Sequence, residues 1–248
     1  DYLFKKQLLQ TLYDGNERAQ IISAELLDKV NFSRLSAINR MLFPDANEFV
    51  FTFVGNIDPE VLKPLVEKYI GSIPTTKDRL ELVDDHVDIV TGQVSEDFNT
   101  VMQQPKVSVF FGFSGTENYS LKNNLVLTML CEALSTRYHE TIREEMGATY
   151  GVGAAGSLDY LPTEKYFVQV MCDTNEKQAD DVQAAIMAEL EKIAQQGPKA
   201  EDIEKTREYL AKEHKNNLEK NGAWMGYLKN YYDAQVDFVN GYEETLAG

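Results

Sequence analysis

The sequence predicts an α+β fold, with a mainly antiparallel sheet and long helices packed on one face. Three observations carry this. Two strand-like runs, 92–102 and 106–114, flank Pro105 in the manner of a hairpin connection. A long amphipathic run over 120–146 places Leu127, Cys131, Leu134, Tyr138 and Ile142 on one stripe at helical spacing. Strand candidates at 150–158 and 166–172 follow it, and helical periodicity fills the rest.

From the start of the chain, residues 1–43 read as helical. Leu3, Leu8, Leu9 and Leu12, then Leu26, Leu27 and Val30, recur at helical spacing, and Asp14-Gly15-Asn16 breaks the first run. Phe49-Val50-Phe51-Thr52-Phe53-Val54 has the aromatic and β-branched content of a strand, and Gly55-Asn56 turns the chain. Asp58 is placed to cap the next helix and Pro59 suits its first position. Ile57 and Leu62 are spaced for a hydrophobic staple. Val61, Leu62, Leu65, Val66 and Tyr69 supply the apolar face, and Gly71 an end. Residues 75–91 are polar and strongly charged, with Thr75-Thr76-Lys77-Asp78 and Asp84-Asp85, and read as an inter-domain linker.

Gly147 supplies a stop for the helix over 120–146. An amphipathic helix at 176–195 runs through Val182, Ile186, Leu190 and Ile193 and closes at Gly197-Pro198. More helix spans about 199–246, with a break near Asn221-Gly222. Leu9, Tyr13 and Asp14 align with Leu228, Tyr232 and Asp233, each pair 219 residues apart. Either chance or a longer protein repeating at that period produces such an echo.

Composition excludes some roles. At 43% hydrophobic and 26% charged, the 248 residues suit a globular protein with material for one large domain or two smaller ones. Acidic residues outnumber basic ones 40 to 24, for a net charge of −16, which argues against nucleic acid as a partner. No run approaches the roughly 20 apolar residues that span a bilayer, so no membrane partner is expected. No signal peptide is recognisable, and the chain begins at Asp1 rather than Met, as a processed or trimmed protein would. Cys131 and Cys172, both in apolar stretches, read as small buried hydrophobes rather than a disulfide framework.

Intrinsic chemistry is sparse. Of the three histidines, His86, His139 and His214, only His139-Glu140-Thr141-Ile142-Arg143 suggests a metal. A zincin helix needs a second histidine where Arg143 stands, and a permanent cation there repels Zn²⁺. The inverted form, His-x-x-Glu-His, does not occur. Gly151-Val152-Gly153-Ala154-Ala155-Gly156 matches Gly-x-Gly-x-x-Gly, but a helix precedes it and Ser157-Leu158-Asp159-Tyr160-Leu161-Pro162 is too short for a crossover helix. Only a helix starting at Gly153 would support nucleotide binding. A small-residue strand that another backbone or a bound peptide can approach fits better. Gly112-Phe113-Ser114-Gly115 lacks the nucleophile-elbow spacing. Glu144-Glu145 and Asp180-Asp181 read as solvated helix faces.

Two segments nevertheless carry a likeness. Ile142-Arg143-Glu144-Glu145-Met146-Gly147-Ala148-Thr149-Tyr150-Gly151-Val152 puts an Arg at a helix end and a Tyr seven positions later. Phe51-Thr52-Phe53-Val54-Gly55-Asn56-Ile57-Asp58-Pro59, continuing through Leu65-Val66-Glu67-Lys68-Tyr69 to Gly71-Ser72-Ile73-Pro74, is a strand-helix closing unit. In that order, these segments resemble the non-catalytic C-terminal half of the pitrilysin (insulysin-type, inverted zinc motif) metallopeptidases, with the likeness spanning roughly residues 1–248.

The resemblance implies a metallopeptidase-like fold. Residues 1–75 would close a preceding α/β domain, 76–91 would link, and 92–248 would form most of the last α/β domain. It implies a zinc endopeptidase fragment, inactive alone, that binds peptide and completes the site of a catalytic zinc-binding half on the same chain or a partner subunit. Zinc belongs to the full enzyme, with none bound by this chain. Tyr150 would donate to the developing oxyanion, Arg143 would hold a substrate carbonyl or carboxylate, and Gly151 and Gly153 would edge the bound peptide. Against these roles, Arg143 could pair with Glu140 or Glu144, and Tyr150 could be core. The alternative function is a non-catalytic structural or partner subunit of a heteromeric peptidase-like complex. The compartment stays open, with an exported, periplasmic bacterial protein preferred to a cytoplasmic one.

Overall fold

The computed structural model describes residues 2–43, 46–75 and 81–248. Residues 76–80 of the expected linker, with Thr76-Lys77-Asp78, lie outside the described residues. The chain divides into two compact units, Asp1–Phe98 and Asn99–Gly248.

The first unit carries α1 (Tyr2–Leu12), α2 (Ala24–Asp28), α3 (Phe32–Leu42) and α4 (Pro59–Tyr69). The stretch over 1–43 that reads as helical with one break is thus three helices. Asp14 and Gly15 take left-handed φ of 48° and 69° at the predicted break. Ser23 and Asn31 then start new helices by accepting from the backbone N–H of Leu26 and Arg34. Asp58 caps α4 through Glu60 N–H and Pro59 opens it, as the sequence predicts.

Residues 49–54 are not a strand. Among the described residues of this unit no strand forms, and Val50, Phe51 and Phe53 stay exposed. Strand propensity needs a partner ladder for its N–H and C=O groups, and none is present here. Residues 81–98 are irregular and follow α1. Val90 N–H donates to Leu12 O (2.8 Å), Gln7 and Thr11 donate to the Glu96 carboxylate, and Phe98 stacks on Phe4 at 6.0 Å.

The second unit carries β1 (Val107–Thr116), α5 (Leu121–Tyr138), β2 (Val152–Asp159), β3 (Lys165–Thr174), α6 (Ala179–Gln196), α7 (Ala200–Asn217), α8 (Asn221–Ala234) and α9 (Tyr242–Ala247). The sheet is antiparallel in the order β1-β3-β2. The predicted hairpin between 92–102 and 106–114 is therefore wrong in its first arm. The true partner of β1 is β3, in register from Val107 opposite Thr174 to Thr116 opposite Lys165. Glu96 and Phe98, in the missing arm, are engaged by α1 instead.

Period-two burial explains the sheet. Val168, Val170, Cys172 and Thr174 of β3 point to the covered face, whereas Met171 is exposed. The α5 stripe covers that face. Leu134, Tyr138 and Ile142 join Val182 and Ile186 of α6 and Val109, Val152, Val170 and Cys172 of the sheet in one core. Each fully buried aliphatic side chain there stabilises by about 1.5–3 kcal/mol. Leu127 of the predicted stripe is only half-buried. A second cluster joins Leu125, Leu210 and Leu246, from α5, α7 and α9. Both cysteines are free and buried, and burial pushes each thiol up to about 11. They are inert at neutral pH, in line with the sequence reading.

One buried charge crosses this packing. Glu189 of α6 accepts from Arg137 Nε (3.2 Å), Lys192 Nζ (2.6 Å) and Thr141 Oγ1 (3.3 Å). Burial alone would raise its carboxyl, but the Lys192 hydrogen bond and the Arg137 charge outweigh that and hold it below the ordinary carboxylate range. The helical tail breaks at 218–220 and again after Ala234, where Gln235 is left-handed at φ 57°. The first break falls next to Asn221-Gly222, as predicted, and these two residues open α8, because the first turn of a helix needs no intrahelical N–H partners.

Candidate functional site

The helix over 120–146 does not end as a plain α-helix. Residues His139–Glu145 continue α5 as a π-helix, a form that recurs at functional sites. Met146 N–H reaches back to Thr141 O and Ala148 N–H to Ile142 O, both at 3.0 Å. Gly147 then reverses the chain at φ +59°, a conformation that a side chain would strain. Arg143 lies in the π segment, and Tyr150 lies in the turn that leads into β2.

Both side chains face solvent. Tyr150 is fully exposed, so it is not core. Arg143 is exposed, with its Nη1 3.4 Å from His139 Nδ1. Glu140 pairs instead with Arg137 (2.6 Å) and Lys199 (3.5 Å), so the alternative of an Arg143–Glu140 pair is not what forms. An exposed guanidinium retains its planar fork for a carbonyl or carboxylate.

Two side chains outside the motif, Gln178 and Thr174, and one inside it, Thr149, hold this turn. Gln178 Nε2 donates to Met146 O (3.3 Å) and Thr174 Oγ1 to Ala148 O (2.7 Å). Thr149 Oγ1 lies 2.7 Å from Asp173 O and 3.0 Å from Gly151 O, and accepts from Gly151 N–H at 3.2 Å. Sequence reasoning missed all three. The only signal for Thr174 and Gln178 is a cluster of polar residues, 173–178, after a buried strand, and Thr149 stands within the motif with no role assigned to it.

Beyond the turn, β2 is an outer strand of the sheet, so among the described residues one of its edges has no strand beside it. Gly151 has open space where a Cβ would stand, and Gly153 only an ordinary contact with Ser135 Oγ at 3.5 Å. That hydroxyl accepts from Ala154 N–H (2.9 Å) and donates to Ala154 O (3.2 Å), so α5 caps the strand backbone there. Gly156 serves the fold. A Cβ on it would lie 2.9 Å from Cys131 Sγ, which is how close α5 packs. Strand rather than helix at Gly153 removes the context a nucleotide-binding fingerprint needs.

These residues do not fit a metal ion. Among the described residues no group of three or more His, Cys, Asp or Glu could hold one. Arg143 puts a cation against the His139 ring nitrogen, and His214 is buried and stacked on Tyr242 at 3.9 Å.

The model of the Peptidase M16 inactive domain matches residues 41–210. The Arabidopsis thaliana protein described as "Zinc protease PQQL-like" is 24% identical over 251 residues, covering 94% of this chain and 26% of that protein. Among solved structures, the periplasmic protease PqqL from Escherichia coli superposes with a TM-score of 0.76 at 16% identity, over 99% of this chain and 27% of that one. The ferredoxin protease FusC, a point mutant in complex with Arabidopsis ferredoxin, follows at 0.71 and 12%, over 99% and 26%. The chain thus spans about a quarter of the length of these relatives. At these identities the structural likeness speaks for the fold, an antiparallel sheet with helices as in the proteases matched. With the family model covering more than half of its residues, the chain belongs to the M16 peptidase family, in its inactive domain.

Proposed function

We propose that this chain is the zinc-free half of a zinc metalloendopeptidase, which binds the peptide substrate and completes the active site of a half carrying the metal. The observation that carries the reading is the pair Arg143 and Tyr150, both exposed and set on either side of a left-handed glycine in a hydrogen-bonded turn. Tyr150 acts as a neutral hydrogen-bond donor to the carbonyl oxygen as it gains negative charge. Arg143 holds a substrate carbonyl or carboxylate, and β2 near Gly151 and Gly153 lies alongside the extended peptide. Metal chemistry, the activation of a water for attack on the peptide bond, belongs to the other half.

The same reading makes residues 1–75 the closing part of one α/β domain, 76–91 a linker and 92–248 most of the next. Helix positions support it. Tyr2 and Asn221 open α1 and α8, and Asp28 and Ala247 close α2 and α9, each pair 219 residues apart like the sequence echo. The relative from E. coli is periplasmic, which supports export of this protein too. Partners follow as the catalytic half and peptide, without nucleic acid at a charge of −16.

The experiment is Tyr150→Phe in the parent protease. Loss of one oxyanion donor lowers kcat by about 10²–10³-fold. An unchanged kcat removes Tyr150 from the mechanism. A second reading, a non-catalytic partner subunit, draws on the matched domain being described as inactive. It requires the parent assembly to bind no zinc and cut no peptide.

A further inference from the structure

Tyr150 touches nothing that could hold its ring, so its position depends on the backbone of 149–151. That backbone lies between Gly147, at φ +59°, and Gly151, which has open space around it. A turn bounded by two glycines would swing unless something held it. Gln178 and Thr174 hold only its entry, at Met146 and Ala148. Among the described residues, Thr149 is the one side chain whose hydrogen bonds bracket Tyr150. The Thr149 hydroxyl donates to Asp173 O (2.7 Å) on one side and accepts from Gly151 N–H (3.2 Å) on the other. Asp173 is itself anchored to the far strand, accepting from Lys106 Nζ (2.8 Å) and Ser108 Oγ (2.5 Å). An unbroken line of hydrogen bonds thus runs from β1 through the end of β3 to the residues on both sides of Tyr150.

We infer that Thr149 is a positioning residue for Tyr150: its hydroxyl aims the phenol by clamping the turn to the end of β3. This rests on the oxyanion role proposed for Tyr150. Only a hydroxyl does this, because it accepts from Gly151 N–H while donating to a carbonyl. Valine has the same shape and neither capacity. Serine keeps both.

The test measures kcat and KM on a peptide for Thr149→Val and Thr149→Ser in the parent protease, each with and without Tyr150→Phe. A displaced donor loses transition-state contact rather than substrate binding, so Thr149→Val lowers kcat about tenfold with KM within about twofold. Thr149→Ser stays within about twofold of the parent. In the Tyr150→Phe background Thr149→Val adds nothing, because no donor is left to aim. Chymotryptic cleavage after Tyr150 in the 248-residue chain reads the clamp without catalysis, and Thr149→Val is cut faster than Thr149→Ser. A tenfold fall that persists in the Tyr150→Phe background overturns the positioning role, as does unchanged kcat or unchanged cleavage in Thr149→Val. If Tyr150→Phe alone leaves kcat unchanged, the role of Tyr150 fails and the positioning role fails with it.

Discussion

Gly156→Ala tests how closely α5 lies on β2. The added Cβ would stand 2.9 Å from Cys131 Sγ, 3.2 Å from Leu127 Cγ and 3.4 Å from Leu127 Cδ1. Leu127 is half-buried and can turn aside. Cys131 is buried, with one side-chain torsion, so its sulfur moves only by displacing its neighbours. Overpacking of this kind costs about 1–3 kcal/mol. The stiffer unfolded chain returns about 0.4–1 kcal/mol, since no left-handed φ is involved. The net loss is about 1–2 kcal/mol, or a fall in melting temperature of about 2–6 °C for a chain of this size. Trp224 is the single tryptophan and lies in α8, so its fluorescence follows the second unit during thermal or urea unfolding. Gly226→Ala is the control. It has open space in mid-helix and gains about 0.5–1 kcal/mol from helix propensity. Cys131→Ala combined with Gly156→Ala should restore part of the loss, beyond the sum of the single changes. A Gly156→Ala chain melting at or above the parent would refute the close approach.

Two titrating groups give further outcomes. Glu189→Ala leaves Arg137 with only Glu140 and costs about 2–3 kcal/mol, less than a fully buried pair because Lys192 remains in solvent; a urea midpoint unchanged from the parent would contradict this. The Glu189 pKa is depressed in the fold, so its stabilisation is present above the unfolded value of 4.5 and drains away as pH falls below it. His214 is held below its ordinary value, first by burial, with Glu243 opposing more weakly. The unfolded chain therefore takes up the proton first, and stability begins to fall as pH drops through 6.5. His214→Phe keeps the stacking on Tyr242, removes a buried Nδ1 with no protein partner, and flattens the stability profile between about pH 7 and 5. A profile as steep as the parent's would show that another group titrates there.

Elements with their own period were legible. The α5 stripe, β3 with its alternating burial, and α4 with Asp58 and Pro59 need only local chemistry and the core they face. The failures depended on a partner. Phe49–Val54 has strand composition, but no ladder forms beside it among the described residues. The arm 92–102 lost its place because β1 pairs with the distant segment Lys165–Thr174, and no pattern in β1 says which neighbour it takes. At the candidate site, Arg143 and Tyr150 came from the family resemblance of the segment Ile142–Val152, and their roles are proposals. The parts played by Thr149, Thr174 and Gln178 could not be read, because each acts through a backbone carbonyl, and carbonyls leave no mark in a sequence.

The way Tyr150 is held bears on what it is for. Fixing a residue's backbone costs about 1–2 kcal/mol, which packing normally offsets. Tyr150 buries nothing, so its own ring returns none of that cost to the fold. Yet the turn around it has a π-helical entry, a left-handed glycine, side-chain hydrogen bonds to two of its backbone carbonyls and one accepted from its Gly151 N–H. A surface tyrosine needed only for solubility would sit equally well on a loose loop. Order imposed on the backbone that carries an exposed side chain is part of what preorganised donors require, since a donor that must first find its place gives back its electrostatic advantage. The cost of order at Tyr150 and the absence of local benefit together favour a contact outside this chain, and that contact is what Tyr150→Phe and Thr149→Val measure in the parent protease.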